Sequence, residues 1–193
     1  MKKMITRSLL VAAVLSLSAC VQYSLVPANT AVQAQGFTVT PGSDWNKSPF
    51  PPGPKVQTWT TDGEQLNQLM LIGKVSEGES LFKSPSKSIP MPSFKSDMLP
   101  FDIEALVRTS LKNLAGGELT INTQGLKPAK FGEQNGFRFE VSYFTQQGLL
   151  KHGDVLAAIK DEQLYLMIFT AAKTHYYQAQ LPEVEQLFQS AIL

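Results

Sequence analysis

The chain has 193 residues, with 17 Lys and Arg against 16 Asp and Glu, the size of one domain or of two small ones. Lys2, Lys3 and Arg7 fall within the first 19 residues, where no acid occurs, so the remainder carries 14 bases against 16 acids and is mildly acidic. That excess disfavours a nucleic-acid footprint, which needs Lys and Arg in surplus on one surface, and a single cysteine excludes an intramolecular disulfide, a redox dithiol and a zinc site built from several thiolates.

Residues 1–19 read as a lipoprotein signal peptide: a basic stretch Met1–Arg7, an apolar run Leu9–Leu17, then Ser18, Ala19 and Cys20. The run is shorter than the roughly 20 residues a helix needs to cross a bilayer. A cut before Cys20 by ordinary signal peptidase would put the bulky Leu17 where a small residue is preferred. Leu17-Ser18-Ala19-Cys20 instead resembles the lipobox of bacterial lipoproteins. The resemblance implies that the Cys20 thiolate attacks a diacylglyceryl donor and holds the lipid in a thioether. Two or three acyl chains then give stable anchoring, at about 0.8 kcal/mol per buried methylene. A secreted protein with a free cysteine near the cut is the alternative. In a Gram-negative cell Val21, which is not the Asp of inner-membrane retention, implies the outer membrane, with the chain facing the periplasm. Residues 20–35, poor in charge, read as the lipidated N-terminus and a tether; a strand that begins early is the other reading.

Residues 36–193 read as a single α+β domain. Phe37 and Val39 alternate as a short strand before the turn Pro41-Gly42-Ser43-Asp44-Trp45. Val56–Thr60 and Leu66–Val75 flank Asp62-Gly63 as a hairpin, although Asp62 with Gln65 could cap a helical turn. Residues 77–100, with four prolines and six serines, form a long loop without periodicity. Ile103, Leu106, Val107, Leu111 and Leu114 keep helical spacing, with Asp102 to cap the first amides and Gly116-Gly117 to stop the helix. Phe137–Tyr143 alternates as a half-buried strand, Leu149–Lys160 follows as a second, and Leu164–Ala171 is apolar on both faces, as a central strand covered on both sides should be. A last helix has Pro182 in its first turn and a stripe of Val184, Leu187, Phe188, Ala191 and Ile192. Three antiparallel strands between two amphipathic helices predict an antiparallel sheet sandwiched by helices.

The order of Phe37-Thr38-Val39-Thr40-Pro41 leading to Trp45, a hairpin, a loop, a helix, a meander and the run Leu164-Tyr165-Leu166-Met167-Ile168-Phe169 before a helix resembles the PsbP-like fold. The likeness covers about residues 36–193. The fold is shared by the extrinsic subunit of the oxygen-evolving complex, a Ran-binding nuclear import factor and bacterial envelope lipoproteins. It implies a binding, assembly or chaperone module with an envelope protein partner and no enzymatic activity.

The residues that could carry chemistry are few. His152 and Asp154 lie two apart on one strand face, as a base and its orienting carboxylate would. Those two are the basis for an alternative small envelope hydrolase, but no Gly-x-Ser-x-Gly elbow supplies a nucleophile. His175 precedes the last helix, where packing or capping explains it, and two isolated histidines make no metal site. No motif demands a cofactor. Two loops are binding candidates. Pro49-Phe50-Pro51-Pro52-Gly53-Pro54 suits polyproline II beside Trp45 and Trp59. Phe82–Ser96 carries Lys83, Lys87 and Lys95 without an acid, alongside Phe82, Ile89, Met91 and Phe94, and suits an anionic membrane surface or a protein partner. A carrier of an apolar ligand held between sheet and helix is the third reading.

Overall fold

A computed structural model describes residues 22–193; the signal peptide, Cys20 and Val21 lie outside the described residues. The elements are β1 (Ser24–Val26), β2 (Val32–Ala34), β3 (Phe37–Val39), β4 (Trp45–Lys47), β5 (Val56–Thr60), β6 (Asn67–Val75), α1 (Pro100–Leu114), β7 (Asn122–Phe131), β8 (Gln134–Phe144), β9 (Leu150–Lys160), β10 (Gln163–Ala172) and α2 (Tyr176–Ser190). Eight strands form one sheet in the order β1-β4-β5-β6-β10-β9-β8-β7, every pairing antiparallel, and β2 and β3 form a separate hairpin.

The two-sided apolar run became β10, which lies between β6 and β9. Tyr165, Met167, Phe169 and Ala171 pack with Val184, Leu187 and Phe188 of α2 and with Phe37, Trp45 and Trp59. Leu164, Leu166 and Ile168 pack with Ile103, Leu106, Val107 and Leu111 of α1. Period-two alternation sends these two sets to opposite faces of the sheet, so each helix covers its own face. The β2–β3 hairpin closes over β6 because Gly73 has no side chain; a Cβ there would meet the Gln35 carbonyl and the Tyr165 ring.

Four readings of the sequence need correction. Residues from Ser24 onward are not tether: Ser24, Leu25 and Val26 pair with Lys47, Asn46 and Trp45, so the early-strand alternative describes them. The helix begins at Pro100, and Asp102 sits one turn in, where its carboxylate accepts the Leu99 N–H at 2.9 Å and does not cap the first amides as an N-cap residue. The meander has four strands, because β7 precedes the three that were read. The last helix starts six residues before Pro182, which therefore lies inside it, and Ile192 is off the helix, bridged to Thr38 and 66 % exposed. Side chains on α2 satisfy the approach to β4. Glu183 accepts the Gly42 and Ser43 N–H groups at 2.8 and 3.1 Å, and Ser190 Oγ accepts that of Thr40 at 2.9 Å.

β7 is exposed along most of its length and edges the sheet. It is blunted for that position. Its register shifts between Gln124 and Lys127 around Gly125 at φ +71, and Lys127, Pro128 and Lys130 line the outer part.

Residues 76–99 contain no helix or strand, yet they are fixed. Leu81, Phe82 and Phe94 are buried against α1 and the sheet. The Phe94 N–H donates to the Glu79 carbonyl at 2.8 Å and the Gly78 N–H to the Phe94 carbonyl at 2.9 Å, while Asn113 of α1 donates to the Pro90 carbonyl at 2.8 Å.

Candidate functional site

The antiparallel register brings the two candidate loops together at one end of the sheet. The 48–55 loop joins β4 to β5, and the Lys83 N–H donates to the Pro52 carbonyl at 2.8 Å. Gly53 lies against the backbone of Leu81 and Phe82. Between the loops runs a shallow groove of about 470 Å³, lined by Pro51, Pro52, Gly53 and Pro54 on one side, Lys83, Ser84 and Pro85 on the other, and Leu114 from the end of α1. Ser84 Oγ lies within hydrogen-bonding reach of the Ser86 and Ile89 carbonyls and shares its one proton between them, which holds the 84–89 turn in shape. Phe50 stands beside the groove at 67 % exposure, with Lys83 and Lys87 exposed. Lining the groove are no carboxylate, histidine or cysteine, so it offers contact area and positive charge rather than acid–base chemistry.

The other nominated residues do not join this surface. Trp45 and Trp59 are fully buried on the α2 side, with Trp45 Nε1 3.4 Å from Glu183 and Trp59 Nε1 3.4 Å from Gln57. Phe94 is equally buried, as a core anchor under α1. Their apolar area went to the core, where a large ring contributes most. Lys95 is exposed, but its surroundings are not purely basic: Glu77 accepts the neighbouring Ser96 N–H at 2.6 Å, and Glu79 returns beside Phe94, paired with Lys55. The acid-free stretch of sequence thus acquires two carboxylates from residues just ahead of it.

His152 and Asp154 do share the α2-facing side of β9, but among the described residues no hydrogen bond joins them. Both Asp154 oxygens are taken by other groups. Arg138 donates to Oδ1 from Nε at 3.0 Å and from Nη2 at 2.6 Å, and the Tyr177 hydroxyl donates to Oδ2 at 2.7 Å. Arg138 also reaches Glu185 at 2.8 Å from Nη1, and its guanidinium lies 5.4 Å from the centre of the Phe188 ring. Burial acts to lower the Arg138 pKa, and the hydrogen bonds to Glu185 and Asp154 more than reverse it, so the cation persists. Burial raises the Tyr177 phenol, helped by its bond to Asp154. His152 packs its ring 5.7 Å from that of Tyr177, and burial, then Lys173, hold its pKa below 6.5. The cluster joins β8, β9 and α2 and reads as a structural clamp. His175 is the N-cap residue of α2 without a side-chain cap bond, its ring against Tyr176.

The space between sheet and α1 is small. The apolar recess bounded by Met70, Leu111, Leu119 and Tyr143 holds about 120 Å³, below the about 300 Å³ at which small-molecule pockets begin. Among the described residues no group of three or more His, Cys, Asp or Glu could hold a metal ion, and no helix is long and apolar enough to cross a membrane.

Sequence reasoning passed over Lys151, which is 5 % exposed and donates to the Glu64 carbonyl at 3.0 Å. Burial pulls its pKa from 10.5 down to about 8, against a smaller opposing pull from Glu64. Between these values the unfolded chain binds the extra proton, so stability rises with pH from about 8 to 10.5 and the burial cost is fully present below 8. The shift corresponds to about 3 kcal/mol. Urea unfolding of Lys151→Met across that window is expected to lack this rise; a wild-type minus variant difference that stays constant would refute it.

No sequence family matches the chain, and no curated protein does. Solved structures do. The solution structure of cyanobacterial PsbP (CyanoP) from Synechocystis superposes with a TM-score of 0.52 at 8 % identity, covering 91 % of this chain and 95 % of that one. A crystal structure from Bacteroides thetaiotaomicron gives 0.47 at 11 % identity over 80 % of this chain, which spans only 44 % of that one. LpqN, a protein involved in cell envelope biogenesis of Mycobacterium tuberculosis, gives 0.36 at 9 % identity, covering 88 % of this chain and 84 % of that one. The described residues form a mixed α/β fold with a large antiparallel sheet and two helices, and that fold is PsbP-like. At such identities the likeness reaches no further than the fold.

Proposed function

We propose that this chain is a lipid-anchored, periplasm-facing protein of the bacterial envelope that binds or helps assemble another component there and catalyses no reaction itself. The observation that carries the reading is the lipobox-like Leu17-Ser18-Ala19-Cys20, placed three residues ahead of the first sheet strand. Val21 after the acylated cysteine fits the outer membrane. The groove between the 48–55 and 83–90 loops is the binding surface, since it joins the exposed Phe50 ring and the loop prolines to the exposed Lys83 and Lys87. The hydrolase reading finds no support in Asp154, whose carboxylate is committed to Arg138 and Tyr177.

Mass spectrometry of the membrane-extracted protein is expected to show a diacylglyceryl-modified N-terminal cysteine. Cys20→Ser should accumulate as unprocessed, unacylated precursor, while His152→Ala keeps wild-type stability and cellular activity. Unchanged membrane fractionation and processing of Cys20→Ser would overturn the anchor. A lost phenotype in a stably folded His152→Ala would restore the enzyme.

A further inference from the structure

β1 is held by less than any strand it adjoins. It pairs with β4 over three residues, Ser24 to Val26, of which only Val26 is buried. Residues 27–31, which lead on to β2, are exposed except for a half-buried Ala28. Three hydrogen bonds fasten the flanks. The Tyr23 hydroxyl donates to Glu64 Oε1 at 3.0 Å, the Ala28 N–H to Asp44 Oδ1 at 2.8 Å and the Asn29 N–H to the Pro41 carbonyl at 2.7 Å.

The elements around β1 have supports of their own. Trp45 of β4 is fully buried, Glu183 holds the Gly42 and Ser43 N–H groups ahead of it, and the Ser48 N–H donates to the Thr58 carbonyl at 2.7 Å behind it. Gln68 bonds Glu64 Oε2 at 3.2 Å and Lys151 bonds its carbonyl, so the 61–66 turn stays in place without Tyr23. In the β2–β3 hairpin Ala34, Phe37 and Val39 are buried, and Thr38 and Ile192 exchange backbone bonds at 2.9 Å. Peeling β1 away therefore exposes one buried side chain and leaves the rest of the sheet closed, which is the description of a local opening unit. Asn29, at φ +55, supplies the bend about which it would move.

The geometry points to a strap: we propose that β1 opens and closes about residues 27–31 while the sheet stays folded, and that its state sets how far the domain stands from the bilayer. The opening depends on the fold alone; the distance it controls rests on the acylation of Cys20 argued above. With β1 docked, four Cα steps separate Cys20 from Ser24, a reach of at most about 14 Å. With β1 released, the ordered body begins at Val32, twelve steps from Cys20, and the reach grows to about 40 Å. A strand of three residues thus roughly triples the working radius of the domain.

The test uses the acylated chain in phosphatidylethanolamine–phosphatidylglycerol vesicles. Hydrogen exchange over residues 22–28 is expected to show at least about 100-fold less protection than over β5, Val56–Thr60. Val26→Asp, which opposes docking, should lower energy transfer from a dye at Gln147→Cys to a headgroup acceptor about twofold and leave the thermal midpoint within a few degrees of wild type. Equal protection of β1 and β5, or a midpoint that falls by about 10 °C in Val26→Asp, means that β1 unfolds with the sheet and overturns the strap. Unchanged energy transfer in a Val26→Asp protein whose β1 has lost its protection overturns the control of distance and leaves the anchor standing. Failure of the wild type to float with the vesicles overturns the anchor and with it the control of distance.

Discussion

Arg138→Met is expected to lower the unfolding free energy by about 3–5 kcal/mol, because it leaves the Asp154 carboxylate buried without its cation. Asp154 is 3 % exposed, and with Arg138 gone its remaining partner is the Tyr177 hydroxyl. At roughly 2–4 °C per kcal/mol for a chain of this size, the midpoint should fall by about 10 °C. Replacing the set together, as Arg138→Met with Asp154→Leu and Tyr177→Phe, should recover most of the loss, since apolar groups of similar volume carry no desolvation cost. Urea unfolding of the single and combined variants checks both. A single variant within 1 kcal/mol of wild type, or a combined variant no better than the single, would show that the cluster does not clamp α2 to β8 and β9.

Phe94→Ala carries the second large effect, about 3–5 kcal/mol for an aromatic side chain removed from a closed core. Its consequence is localised. Phe94 fastens residues 76–99 through its ring beneath α1 and through two backbone bonds with Gly78 and Glu79, so the variant should become cleavable by protease within that segment under conditions where the wild type resists. The groove should go with it, because Lys83, Ser84 and Pro85 keep their place beside the 48–55 loop only while the segment is seated. Resistance equal to wild type, together with an unchanged unfolding midpoint, would mean that Leu81 and Phe82 suffice.

How much of this was legible differs by element for physical reasons. β10, α1 and the β5–β6 hairpin were readable because burial imposes a period: two for a strand, 3.6 for a helix. β7 has neither face buried, so its sequence, Asn122–Phe131, shows no alternation, and Gly125 with Pro128 reads as a break when each in fact serves an edge strand. Pro182 misled for a related reason: it marks a favoured helix start, but the packing of Tyr177, Val184, Leu187 and Phe188 carries α2 through it. At the candidate site, composition identified both loops and could not show that they touch. It also could not tell which aromatics would be consumed by the core, and Phe50 rather than Trp45, Trp59 or Phe94 is the one left outside. The pairing of Asp154 with Arg138 had a faint signal in the alternation of β8, which places a cation on the polar face one strand from the acid.

Under the proposed acylation of Cys20, which would confine the molecule to a membrane, the blunted rim of the sheet takes on a further meaning. Lateral confinement turns a modest copy number into a dense two-dimensional population whose members share one orientation, so that open strand rims would meet repeatedly in the geometry that zips sheets into fibrils. At one margin β1 offers three residues, too few to template a lasting partner. At the other, Pro128 lacks the donor that a docking strand would need, and Lys127 and Lys130 would confront their own copies across the join. Such a chain can be packed closely on a surface and remain a population of separate molecules.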